Sequence, residues 1–223
     1  MRVACLFSGG KDSNLALFRA INQGLDVRYL VTVFPRSRES YMYHYPCIRI
    51  TELQAKCIGL PLISKESIPE KERELEDLKE TLSKLDIDGV VSGALASEYQ
   101  KRRIERICGE LKIESITPLW QDDPVSVLRE VSEKFHVIIS GVSAQGLKKD
   151  LIGRDLDREC VEKLMDLNRK YKIHLTGEGG EFETLVLDAP FFRKRIEILE
   201  KEVIWEGDSG YLDIKKATLI DKH

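Results

Sequence analysis

Two stretches of this sequence carry residue types that could do chemistry. Ser8-Gly9-Gly10-Lys11-Asp12-Ser13 sets two hydroxyls, a cation and a carboxylate around adjacent glycines. Adjacent glycines let a backbone turn sharply and approach a ligand closely. A helix opening near Ser13 would aim unpaired N–H groups and the positive end of its dipole at the same point. With Lys11 and the hydroxyls of Ser8 and Ser13 added, the ligand that fits is a phosphate. Spacing excludes two common phosphate loops. The G-x-x-x-x-G-K-[ST] pattern needs Gly at position 5 and a hydroxyl residue after the lysine, where Cys5 and Asp12 stand. The G-x-G-x-x-G pattern fails because the glycines are adjacent.

The second stretch is Thr176-Gly177-Glu178-Gly179-Gly180-Glu181-Phe182-Glu183-Thr184. Its three carboxylates, Glu178, Glu181 and Glu183, fall within six residues and repel one another unless they meet cations. A metal ion suits such a loop. So does an organic cation, which the aromatic faces of Phe182 or Tyr99 would favour. A further stretch, Gly93-Ala94-Leu95-Ala96-Ser97-Glu98-Tyr99-Gln100 with Arg102 and Arg103 after it, lies where a strand should pass into a helix. Other conspicuous residues read more plainly. Trp120 suits packing better than base stacking, and His44 is a lone histidine in an aromatic stretch. The charge run Lys71–Lys84 reads as the wet face of a helix.

The elements that must position these residues alternate. Arg2–Phe7 reads as a strand, Ser13–Gln23 as a helix closed by Gly24, and Val27–Phe34 as a strand. After a polar, aromatic stretch from Pro35 to Pro46 come a helix over Ile50–Ile58 and a strand over Leu60–Ser64. A charged helix over Glu70–Leu85 presents Leu75, Leu78, Leu82 and Leu85 on one face. Strands at Gly89–Gly93, Glu114–Pro118 and Val137–Ser140 alternate with helices at Glu98–Leu111 and after Pro124. This rhythm predicts an α/β fold, a Rossmann-like parallel sheet flanked by helices over residues 1–140. Residues 141–223 read as a smaller C-terminal α+β part. It would contain a helix over Asp155–Tyr171, a Gly- and Glu-rich segment over Thr176–Phe192, and strands at Arg195–Leu199 and Val203–Trp205.

Composition disfavours several classes. The formal charge of −3 argues against a protein held to nucleic acid by a bulk basic surface. Five cysteines, odd in number and without C-x-x-C spacing, read as buried thiols in a reducing compartment. No clustered ligands suggest a structural metal, so no metal-ligating residues are assigned. The apolar run before Ser8 is short and lacks a cleavage site, and no stretch could span a bilayer. A cytoplasmic protein without membrane contact is expected.

The six-residue loop resembles the SGGxDS pyrophosphate loop (PP-loop) of the N-type ATP pyrophosphatases, whose fold is that of the adenine nucleotide alpha hydrolases. The 176–184 stretch resembles the EGGE(F/Y)E(T/S) signature of the diphthine–ammonia ligase family. Gly93–Gln100 is similar to a second stretch of that family, and Ser40-Tyr41-Met42-Tyr43-His44 and Leu119-Trp120-Gln121 are fainter echoes. The likeness runs from the first strand to about Pro190 and leaves the last thirty residues without a motif. It implies an ATP-dependent ligase of diphthamide biosynthesis. The diphthine carboxylate of translation elongation factor 2 is adenylated, ammonia displaces AMP, and pyrophosphate is the other product.

On that resemblance Ser8, Gly9, Gly10, Lys11, Asp12 and Ser13 are the ATP-binding residues, with Lys11, Asp12 and Glu183 catalytic. Glu98, Tyr99, Gln100, Glu178, Gly179, Gly180, Glu181 and Glu183 are the substrate-binding candidates. Asp12 has two equal readings, an indirect partner of Mg²⁺ or an orienter of the loop. The three glutamates face either diphthine's quaternary ammonium or a metal. No cysteine has a glutaminase-like setting, so free ammonia is the expected donor. A homodimer through the C-terminal strands is left open. The rival readings are a pyrophosphatase that modifies a tRNA base and a non-catalytic adenine nucleotide sensor.

Overall fold

A computed structural model describes residues 1–35, 50–68 and 71–222. The faint echo at Ser40–His44, the rest of the aromatic stretch before Pro46, and Cys47 lie outside the described residues. The chain divides into two compact units. One comprises Met1–Ser8 and Asp12–Gln121; the other comprises Gly9–Lys11 and Asp122–His223.

The first unit is the expected parallel sheet. Its elements are β1 (Arg2–Leu6), α1 (Lys11–Asn22), β2 (Asp26–Pro35), α2 (50–58), β3 (Leu62–Ser67), α3 (Lys71–Ser83), β4 (Gly89–Val91), α4 (Glu98–Leu111) and β5 (Glu114–Ile116). The five strands lie in the order β3-β2-β1-β4-β5, each pair parallel. Val3, Ala4 and Cys5 of the central strand are fully buried, as a strand covered on both faces must be. The leucine spacing of α3 does what it predicts. Leu75, Leu78 and Leu82 pack with Ala4, Val31, Val90, Ile107 and Cys108 in one core cluster, while Leu85 lies beyond the helix end and packs against its edge. At the entry to the sheet Arg2 joins β1 to β4, its main-chain N–H and one guanidinium nitrogen each 2.8 Å from the Asp88 carboxylate.

The second unit holds α5 (Pro124–Lys134), β6 (His136–Val142), α6 (Arg158–Tyr171), β7 (Phe182–Asp188), β8 (Lys194–Glu206) and β9 (Ser209–Asp221). Its four strands run β7-β6-β9-β8, all antiparallel. Two expectations change here. The strand at 137–140 does not extend the parallel sheet. As β6 it pairs antiparallel with β7, so the division of the chain falls at Gln121–Asp122, earlier than residue 140. Apolar runs that are buried on both faces read alike in parallel and antiparallel sheets, so Val137-Ile138-Ile139 could not reveal its partner. The two runs expected at 195–199 and 203–205 are one strand, β8, whose register against β9 shifts around Glu200. The charged Glu200-Lys201-Glu202 at that bulge broke the apolar pattern.

Candidate functional site

In the first unit the order of strands reverses at β1. The chain leaves β1 toward β2 on one side, while β4 lies on the other. Sheets of this kind take ligands beyond the carboxyl ends of their strands at that reversal. Ser8 follows β1 there, and Ser92 and Gly93 follow β4. Gly9 adopts φ +83°, which a side chain would resist. The Ser8 main-chain N–H donates to Ser13 Oγ at 3.3 Å, and its hydroxyl lies 3.2 Å from the same atom, so one serine closes the turn that the other opens. Ser13 and Asn14 are buried in the first turn of α1.

Gly93 explains why the neighbouring stretch opens with glycine. A Cβ there would stand 2.8 Å from Asp12 C and 3.0 Å from Ser13 N. The backbone after β4 therefore rests directly on the backbone of the phosphate loop. Just before it, Ser92 is 5% exposed, and its hydroxyl has no hydrogen-bond partner among the described residues. Its position after a buried Val-Val run was the only signal the sequence offered.

Glu98, Tyr99 and Gln100 begin α4, as expected, with Ser97 capping the helix through Gln100 N–H at 3.3 Å. All three are exposed. Glu98 pairs with Arg102 at 3.0 Å, and the Arg103 guanidinium lies 4.8 Å over the Tyr99 ring. Lys101 covers the half-buried Trp120 ring at 5.0 Å, which supports the packing reading of that residue.

In the second unit, Gly9–Lys11 meet the acidic stretch. Val186 N–H donates to Gly9 O at 3.1 Å, and Lys11 N–H donates to Thr184 Oγ1 at 3.1 Å. The Lys11 ammonium, on a residue only 2% exposed, donates to Thr176 O at 2.5 Å and sits 5.4 Å from the Phe182 ring centre. A buried ammonium needs acceptors. The residue that opens the acidic stretch supplies one.

The acidic stretch is folded by its glycines. Gly177 N–H bonds His174 O at 3.1 Å and Gly180 N–H bonds Gly177 O at 2.9 Å, with Gly177 and Gly180 at φ +72° and +81°. A Cβ on Gly177 would lie 2.7 Å from Phe182 O. Ser143, which follows β6, donates through its N–H to Glu181 O at 2.8 Å and through its hydroxyl to Gly180 O.

The three glutamates part company within this frame. Glu181 Oε1 accepts the His174 N–H at 2.7 Å, while its Oε2 is buried with no hydrogen-bond partner among the described residues. Gly179 lets that carboxylate lie flat, since a Cβ would come within 3.0 Å of it. Glu183 is exposed on β7 opposite Gly141, and Glu178 is half-exposed at the turn. His174 and Ser143 carried no motif of their own, so sequence reasoning passed over them, while Thr176 and Thr184 stood at the ends of the acidic stretch without a role of their own.

The four described cysteines, Cys5, Cys57, Cys108 and Cys160, are buried and free. Burial pushes the Cys5 thiol up to about 12 and that of Cys160 to about 11, away from the range of a nucleophile. No helix among the described residues is long and apolar enough to cross a membrane.

Two family models match this chain. One, described as the diphthamide synthase N-terminal domain, matches residues 1–115; the other, the diphthamide synthase C-terminal domain, matches residues 123–220. Curated relatives bear the name diphthine–ammonia ligase. The Danio rerio protein is 34% identical over 237 residues, which cover 96% of this chain and 92% of that one. The Homo sapiens protein is 32% identical over 247 residues, covering 100% of this chain and 92% of its own. The Schizosaccharomyces pombe protein is 37% identical over 246 residues covering all of this chain, which spans only 40% of that longer protein.

Proposed function

The chain belongs to the diphthamide synthase family, and from that premise we propose that it is an ATP-dependent amide ligase completing diphthamide on translation elongation factor 2. One observation carries the reading. The lysine of the phosphate loop and the acidic stretch belong to the same compact unit, joined by the bond from Lys11 Nζ to Thr176 O. Residues that would hold a nucleotide's phosphates are thereby tied to residues suited to a cation. Diphthine bears a quaternary ammonium beside the carboxylate to be activated, so its recognition calls for such a pairing.

The chemistry balances in two steps. A carboxylate oxygen of diphthine attacks the α-phosphorus of ATP, and pyrophosphate leaves with the electrons of the broken P–O bond. Ammonia then attacks the carbonyl carbon of the acyl adenylate, loses a proton, and AMP departs. Adenylation is needed because a free carboxylate resists ammonia.

Ser8, Gly9, Gly10, Asp12 and Ser13 hold the phosphates, and Lys11 offsets charge developing on the departing pyrophosphate. Glu181 and Glu183 attract the quaternary ammonium through their charge. Glu178 completes this acidic edge. Glu98, Tyr99 and Gln100 offer an exposed surface for the protein acceptor.

Among the described residues no three His, Cys, Asp or Glu side chains group to hold a metal ion. A Mg²⁺ ion carried mainly by ATP phosphates and water would take Asp12 as its indirect partner from the chain, unless that carboxylate serves only to orient the loop. When bound, that ion would neutralise phosphate charge. The working compartment would be the cytoplasm, the nitrogen source free ammonia, and a homodimer is compatible with the exposed edge strand β8.

Incubation with ATP, Mg²⁺, ammonium and diphthine-bearing elongation factor 2 tests this. Stoichiometric AMP and a mass change on the factor equal to OH replaced by NH₂ are expected. AMP release that requires tRNA instead would favour the base-modifying reading. ATP binding without turnover under all conditions would favour a sensor.

A further inference from the structure

His174 lies just ahead of the acidic stretch, and nothing in the catalytic reading uses it. Its Nδ1 stands 3.4 Å from Thr176 N and 3.0 Å from Thr176 Oγ1. A main-chain N–H can only donate, so in that contact Nδ1 is the acceptor. The Thr176 hydroxyl shares the same ring nitrogen. Thr176 is 2% exposed, so water cannot replace these bonds cheaply. On its other side Thr176 offers its carbonyl to the Lys11 ammonium at 2.5 Å. The main-chain N–H of His174 itself is held by Glu181 Oε1 at 2.7 Å. The Thr176 main chain is thus gripped at its N–H by a histidine ring and at its C=O by the lysine of the phosphate loop.

We propose that His174 is a positioning residue for Lys11. By holding Thr176 it fixes the carbonyl that aims the buried ammonium, and so acts on the ATP phosphates without touching them. The inference rests on the reading of Lys11 as a phosphate ligand. It goes beyond that reading by assigning the residue that sets the lysine's direction. Gly177, at φ +72°, turns the chain immediately after Thr176, and because a glycine is conformationally permissive the ring supplies restraint that the backbone there does not.

The test uses the full chain and compares side chains by where they place an acceptor. Asn at 174 puts its amide oxygen near the site of Nδ1, whereas Gln reaches toward Nε2 and Leu offers nothing. Dissociation constants for ATP and for adenosine are measured with Mg²⁺ present, alongside thermal melting. His174→Asn should bind ATP within about threefold of wild type, while His174→Gln and His174→Leu should bind it about tenfold or more weakly. Adenosine, which has no phosphate, should bind all four proteins within about twofold.

If Leu fails to fold, the comparison of Asn with Gln decides alone. Equal ATP affinity in every variant, or parallel weakening of ATP and adenosine, overturns the proposal, as does an Asn variant as impaired as Gln. Wild type binding ATP no better than adenosine would sink the phosphate-loop reading itself, an outcome distinct from these.

Discussion

Individual side chains in the acidic stretch that look alike in sequence do different things. Glu181 spends one oxygen on the His174 amide, whereas Glu183 stands exposed on β7. Replacing Glu181 by Ala should cost about 1–3 kcal/mol, read by denaturant unfolding, because the His174 N–H loses its acceptor. Glu181→Gln keeps an acceptor and should stay near wild type in stability. Glu183→Ala, by contrast, should leave stability within about 0.5 kcal/mol of wild type and reduce amide formation far more than ATP binding. Equal loss of nucleotide affinity would move Glu183 to the ATP or metal site. Lys11→Met keeps the buried stem while removing the charge, and should lower AMP formation by about 10²–10³-fold. The phosphate loop was legible because its chemistry is local, with six consecutive residues turning one strand into one helix. His174 and Ser143 were not, because their roles arise from hydrogen bonds that only the fold creates.

At the scale of elements, the sheet positions the loop by direct backbone contact. Gly93→Ala would drive a Cβ into Asp12 and Ser13, where the nearest atoms are backbone and cannot swing aside. Destabilisation of about 1–3 kcal/mol and weakened ATP binding are expected, measured by unfolding and calorimetry. The join between β1 and β4 has a pH signature. Hydrogen bonds from the Arg2 side chain and main chain hold the Asp88 carboxyl down at about 2, against an ordinary 3.8. A depressed folded-state value means that the contribution is present above 3.8 and is lost as pH falls toward about 2. The melting temperature should drop across that window in wild type and less steeply in Asp88→Asn. Most elements of the parallel sheet were readable from periodicity, within a few residues. What stayed hidden was pairing. β6 looked like one more buried parallel strand, and β7, starting at Phe182 amid acidic residues, looked like loop. β9 went unread because Lys215-Lys216 interrupts its apolar pattern on an exposed ribbon.

For the molecule as a whole, the division at Gln121–Asp122 agrees with the ranges of the two family models, and Gly9–Lys11 group with the later half of the chain. Activity should also depend on the metal that accompanies ATP. Chelation by EDTA should stop AMP formation and excess Mg²⁺ should restore it, while the melting temperature without nucleotide stays unchanged. The central claim is that an oxygen of the acceptor's carboxylate attacks the innermost phosphorus of ATP. It is read most directly by labelling that carboxylate with ¹⁸O and analysing the nucleotide after a single turnover with ammonia. The label should appear in AMP, one atom per amide formed. Unlabelled AMP, or ¹⁸O in inorganic phosphate beside ADP, would contradict the account.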